Sequence, residues 1–163
     1  MCMVFAPKVA EGSGARQGAW RTRGSLPRTV DVLLVSPDPR SRELTALTVR
    51  SIERRLGEEL RFRAAANGDL GIKAARRDRP QVIVADEIAS RAGAFALAKT
   101  LRDDRDPFTG VIVILLERSQ DAWLARWSGA DAWFVKPPDP FEVADRLWEL
   151  LEHRGLLPRE ERV

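Results

Sequence analysis

The sequence predicts an α/β fold, a doubly wound five-stranded parallel sheet in the order 2-1-3-4-5 with five helices. Three observations carry this. From Val30 to His153, short runs of branched apolar residues alternate with longer runs of helical character. Five such β-α units follow in succession, and alternation at that length calls for a parallel sheet covered on both faces. Right-handed crossovers then leave few arrangements, and 2-1-3-4-5 is the common five-strand solution.

Each element has a local reason. "TVDVLLVS" reads as a buried strand, rich in branched residues and without helical period. "DPRSRELTALTVRSIERRLG" reads as a helix, with Asp38 as N-cap, Pro39 at the first helical position and Gly57 as the stop; Leu44, Leu47, Ile52 and Leu56 are taken as its inner side. "LRFRAA" alternates like an edge strand, and "GDLGIKAARRD" is a short helix stopped by Pro80. "QVIVAD" is a strand ending on Asp86, followed by the helix "AGAFALAKTLRDD". "GVIVILLE" is the strongest strand, and "SQDAWLARWSGA" a helix closed by Gly129. "DAWFVKPP" is a strand and turn, and "DPFEVADRLWELLEHRG" the last helix, again with an Asp-Pro start and a Gly stop.

Composition excludes several classes. The 163 residues suit one domain. Cys2 is the sole cysteine, so no internal disulfide forms, and no Cys/His spacing suggests zinc. His153, near the end of a helix, has no partner that would make it a catalytic base. No apolar run approaches a membrane span, and "MCMVFAPKVA" is too short and polar for a signal peptide, so the expected location is the cytoplasm. Residues 1–29 carry Lys8, Arg16, Arg21, Arg23 and Arg28 against Glu11, a net +4, whereas the whole chain is +3. The rest is therefore close to neutral, and the basic pI is a weak argument for nucleic acid. Three segments result: a basic, flexible arm over 1–29 with Trp20 as its anchor, a domain over 30–153, and a charged tail over 154–163.

Folds of this kind place function at the carboxyl ends of the strands. Here those positions are Ser36 to Asp38, Asp86, Leu116 to Arg118, and Lys136. "PQVIVAD" and "SGADAWFVKPPDPFEV" resemble two segments of the receiver domain of bacterial two-component response regulators, a flavodoxin-like fold, and the resemblance covers residues 30–153. It implies that Asp86 is the phosphoacceptor equivalent and Lys136 the conserved lysine, with a cis Lys136–Pro137 bond. It also exposes departures. The family's acidic pair falls on Ser36 and Pro37, its Ser/Thr after strand four on Leu116, its "MP" on Ala89 and Ser90, and its switch aromatic on Trp133.

The departures remove chemistry. Phosphoryl transfer to a carboxylate needs a divalent ion and a lysine to neutralise charge. Magnesium takes one or two carboxylates with waters in near-octahedral geometry. Pro37 offers no side-chain oxygen, Ser36 only a neutral one, and Asp38 is a residue late and committed to its helix. No magnesium or other cofactor is expected, and Asp86 is expected to pair directly with Lys136. Leu116 cannot bind a phosphoryl oxygen.

Trp123, Trp127, Trp133 and Trp148 crowd the end of the domain, with Arg126 between two of them. In receivers the helix-four, strand-five, helix-five face is the usual docking surface, and tryptophan and arginine are favoured anchors. The expectation is a non-enzymatic, stand-alone degenerate receiver that docks through this face and the arm. "DAWLARWSGADA" and "PPDP" also resemble orphan single-domain receivers. That resemblance suggests an accessory or regulatory subunit of a larger assembly, the respiratory NADH dehydrogenase complex, at the cytoplasmic side of a membrane. The alternative is a single-domain response regulator phosphorylated on Asp86 by a histidine kinase in a phosphorelay. "SPDPRSR" lacks the amide-rich loop of a nucleotide site, and no DNA-reading module follows.

Overall fold

The structure, a computed structural model, describes residues 29–87 and 93–157. Strands β1 (Val30–Val35), β2 (Leu60–Ala65), β3 (Val82–Asp86), β4 (Val111–Leu116) and β5 (Ala132–Val135) form one parallel sheet in the order β2-β1-β3-β4-β5. The connecting helices are α1 (Pro39–Val49), α2 (Gly68–Asp78), α3 (Ala94–Asp103), α4 (Ala122–Trp127) and α5 (Pro140–His153). The expected fold class is the observed one. The arm through residue 28, Trp20, Ala89, Ser90 and the tail beyond Leu157 lie outside the described residues.

Strand alternation divides the core. Val30, Val32, Leu34, Val82, Val84, Val111, Val113 and Leu115 face one layer, where α1, the turn after it and α5 cover them with Val49, Ile52, Val143, Leu147 and Leu151. Leu33, Val35, Ile83, Ile112, Ile114 and Leu116 face the other, under Ala75, Leu97, Leu101 and Ala125 from α2, α3 and α4. The central strands β3 and β4 are buried along their whole length, whereas edge strand β2 is buried only at Leu60 and Ala65. That is why the former read as continuous apolar runs and the latter as a half-wet pattern.

Helix starts follow the local chemistry. The Asp38 carboxylate accepts from the amides of Arg40 and Ser41, and Asp139 accepts from Phe141, each just before a proline at the first helical turn. The first helical run is less regular than expected. After α1 it tightens into a 3-10 turn over Arg50–Ile52, then a last α turn over Glu53–Leu56, and ends on Gly57 at φ 66°. Its inner side also needs correction. Val49 and Ile52 are buried with Thr45, Ala46 and Leu56 half-buried, whereas Leu44 and Leu47 are 59% and 66% exposed. The 3.6-residue period through Val49 and Ile52 turns Leu44 and Leu47 away from the sheet.

The packed domain runs past His153. Leu156 and Leu157 pack on the first core layer, and the Leu156 amide donates to the Leu151 carbonyl across Gly155. Arg154 reaches the loop before β4, donating to the carbonyls of Thr109 and Gly110. Arg102 arrives from α3 and donates to the carbonyls of Gly129, Phe108 and Gly110. Both guanidinium groups clasp the Asp131 carboxylate, which also accepts from the Ile112 amide. Gly129 closes this clasp at φ 87°; a Cβ there would stand 2.8 Å from the Arg102 Cγ. This network ties α3, α5, β4 and β5 together at the end of the sheet opposite the strand carboxyl ends.

Candidate functional site

The parallel register brings three loops together at the carboxyl edge. Val35 lies beside Ala85, Asp86 beside Leu115, and Leu116 beside Val135. Asp86 ends β3 with only 5% of its surface exposed. Lys136 follows β5 and is joined to Pro137 by the expected cis peptide bond. Its ammonium bonds Asp86 Oδ1 and also the Glu117 carboxylate after β4. Burial works against the charged ammonium, but the hydrogen bonds from Asp86 and Glu117 outweigh it and hold the Lys136 pKa above its ordinary value.

The second oxygen of Asp86 is engaged as well. Ser41 Oγ, in the first turn of α1, donates to Oδ2 at 2.8 Å, and the buried Ser36 Oγ lies 3.4 Å from the same atom. Ser36 Oγ also accepts from the Asp38 amide at 3.3 Å, and Arg42 donates to the Ser36 carbonyl at 2.6 Å, fixing the turn. Pro37 is exposed. Leu116 is fully buried in the core. The structure thus brings Ser36, Asp86 and Lys136 together, while the side chains of Pro37 and Leu116 take no part in these bonds.

One contributor, Ser41, was not legible beforehand: it sits three residues past the N-cap, where a serine reads as helix surface. Glu117 lies within the expected Leu116 to Arg118 stretch, but its bond to Lys136 was not foreseen.

Receivers are implied to hold magnesium here, so the donor set decides the fit. Asp86 is the one carboxylate of the usual three positions, its oxygens already carry Lys136, Ser41 and Ser36, and Asp38 is spent on its helix. Among the described residues no group of three or more His, Cys, Asp or Glu is arranged to hold a metal. These residues do not fit a magnesium site.

Beside the pair, Glu87 accepts from the Glu117 amide at 2.6 Å and faces Asp121, whose carboxylate bonds Arg118. Burial raises the Glu87 pKa first; the Glu117 amide lowers it, and the Asp121 charge raises it again. A carboxyl with a raised folded pKa stabilises the fold while protonated and loses that contribution as pH rises from its unfolded value. Glu87→Gln keeps an oxygen for the Glu117 amide and removes the charge. It is expected to raise the melting temperature by up to a few degrees at neutral pH and to give no gain below about pH 4; equal melting curves at both pH values would contradict this.

The tryptophans divide. Trp123 and Trp127 are 64% and 59% exposed on α4, with Lys99 5.4 Å from the Trp127 ring. Trp133 is half-buried on β5 with Arg126 5.8 Å from its ring. Trp148 packs on the other core layer, beneath Arg55. Trp123, Arg126, Trp127 and Trp133 share one layer, and Trp148 belongs to the α1 side of α5.

No family model matches the chain. An "uncharacterized response regulatory protein" of Mycobacterium tuberculosis is 28% identical over 123 residues, covering 74% of this chain and 90% of the relative. A putative response regulator from Chloroflexus aurantiacus has a similar structure, with a TM-score of 0.65 at 21% identity over 76% of this chain and 98% of that one. The receiver domain of a sensor histidine kinase from Pseudomonas aeruginosa, described with a magnesium ion in its active-site cleft, is similar at a TM-score of 0.62 and 19% identity, covering 76% and 98%. The described domain thus has the fold of a receiver domain, and its sequence is similar to that of a response regulatory protein. Among the described residues, no helix is long and apolar enough to cross a membrane.

Proposed function

We propose that this chain is a receiver module that works by docking to another protein, with Asp86 kept as a structural carboxylate and no catalysis of its own. One observation carries the reading: both oxygens of Asp86 are held by side chains of this chain, Lys136 on one and Ser41 with Ser36 on the other. The lysine supplies in place the positive charge that a metal would bring, so the acceptor position is neutralised without one. The exposed Trp123 and Trp127 beside Arg126 offer the docking face. The partner on this reading is a larger assembly to which the chain is an accessory or regulatory subunit, the respiratory NADH dehydrogenase complex being the one expected from sequence.

The similarities favour a second reading. The proteins named above are response regulators and a histidine-kinase receiver. The sequence resemblance also implies that Asp86 and Lys136 are the acceptor and lysine equivalents of such domains. On this reading a histidine kinase phosphorylates Asp86 in a phosphorelay, and Lys136 shifts from the carboxylate to the phosphoryl group.

Intact-mass measurement after acetyl phosphate and magnesium separates the two. The first reading expects no phosphoryl adduct. An adduct on the wild type that is absent from Asp86→Asn would establish the second. Affinity purification of the full chain from native lysate after mild crosslinking then identifies the partner class: a stoichiometric complex recovered equally by Asp86→Asn for the first, a histidine kinase lost with that variant for the second.

A further inference from the structure

A groove of about 570 Å³ opens between α1 and the turn after β5. Leu44, Leu47 and Thr48 form one wall and Pro137, Pro138 and Pro140 the other. The two misplaced leucines of α1 therefore line a surface cleft. Ser41 and Lys136 also line it, and both hold Asp86, so the carboxylate ties the two walls to each other. Two large, mostly exposed leucines on one cleft wall are an apolar surface that wants a cover.

The chain itself carries a matching segment. Residues 1–6 read Met-Cys-Met-Val-Phe-Ala, six apolar residues in a row, followed by a basic stretch rich in Gly, Ser and Arg. Methionine adapts to irregular apolar gaps, and phenylalanine supplies a large buried area. The reach is also matched. β1 begins at Val30 and runs six residues toward the edge where Ser41 and Lys136 meet, a rise of about 20 Å. A chain of the length between Ala6 and Val30 has a typical end-to-end span of roughly 25 Å when it is uncollapsed. A tether whose span matches the distance gives the highest effective concentration.

We propose that residues 1–6 of this chain seat in the groove between α1 and the Lys136–Pro137 turn and cover Leu44 and Leu47. The segment then competes with any partner that uses this side of α1. The inference rests on the groove and the tether, and stands whether or not Asp86 takes a phosphoryl group.

Cys2, the chain's one cysteine, provides the test. With a nitroxide on Cys2 of the full, isotope-labelled chain, the amide signals of Leu44, Leu47 and Lys136 should broaden selectively. Phe5→Asp should abolish the broadening, and this change lies outside the described residues. Without any label, Phe5→Asp should shift the same signals relative to wild type, so a nitroxide that blocks seating does not hide the contact. Uniform broadening, or unchanged groove signals in the unlabelled pair, would overturn the proposal. So would broadening of an isotope-labelled Cys2→Ser chain by a separate nitroxide-labelled copy, which would make the groove a contact between molecules.

Discussion

Asp131→Ala is expected to destabilise the domain by about 3–5 kcal/mol, the range for removing one partner of a buried charge network. The side chains of Asp131, Arg102 and Arg154 are 12%, 17% and 27% exposed. Burial already pushes the Arg102 pKa down, while Asp131 supports its charge and Arg154 opposes it. Removing the carboxylate leaves two guanidinium groups facing one another and strips the Ile112 amide of its acceptor. Chemical denaturation of wild type and variant checks this. Asp131→Asn keeps an acceptor for that amide and should fall between the two. A loss below about 1 kcal/mol for Asp131→Ala would mean that the arginines are held by the backbone carbonyls alone.

Lys136→Ala is the second large effect, about 2–4 kcal/mol at neutral pH. It takes the ammonium from the buried Asp86 carboxylate and removes a partner from Glu117. The sign of the pH dependence follows from the raised lysine pKa. The contribution is complete below the unfolded value of 10.5 and is lost only as pH rises through the folded one. Wild type and variant should therefore differ constantly across neutral pH and converge in strong alkali. Combining Lys136→Met with Asp86→Asn should recover most of the loss, because a neutral pair carries no uncompensated charge. A Lys136→Ala variant that melts with the wild type would show that the pair contributes nothing to the fold.

The sheet was legible because parallel strands are buried on both faces. "VIVAD" and "VIVILL" leave no other reading, and Asp38-Pro39 and Asp139-Pro140 mark helix starts by local bonding alone. Asp86 and Lys136 were legible because each ends a strand on the edge where this topology gathers its loops. The inner side of α1 was not. Its apolar residues are few and mixed with threonine and alanine, so the helical phase depends on where Val49 and Ile52 meet the sheet. Ser41 reads as a helix-surface residue until its loop meets Asp86, and Glu117 marks a strand end without revealing that it bonds Lys136. The Arg102–Asp131–Arg154 clasp joins residues distant in sequence, each of which alone resembles an ordinary exposed charge.

We infer that Lys136, Ser41 and Ser36 satisfy Asp86 in place of a divalent ion. The most direct test is amide NMR of the full protein during titration with magnesium, then with beryllofluoride. The signals of Ser36, Ser41, Asp86 and Lys136 are expected to stay in place at millimolar magnesium and to remain there when beryllofluoride is added. Saturable shifts of those four residues, enlarged by beryllofluoride and absent in Asp86→Asn, would contradict this and restore the domain to metal-dependent phosphoryl chemistry.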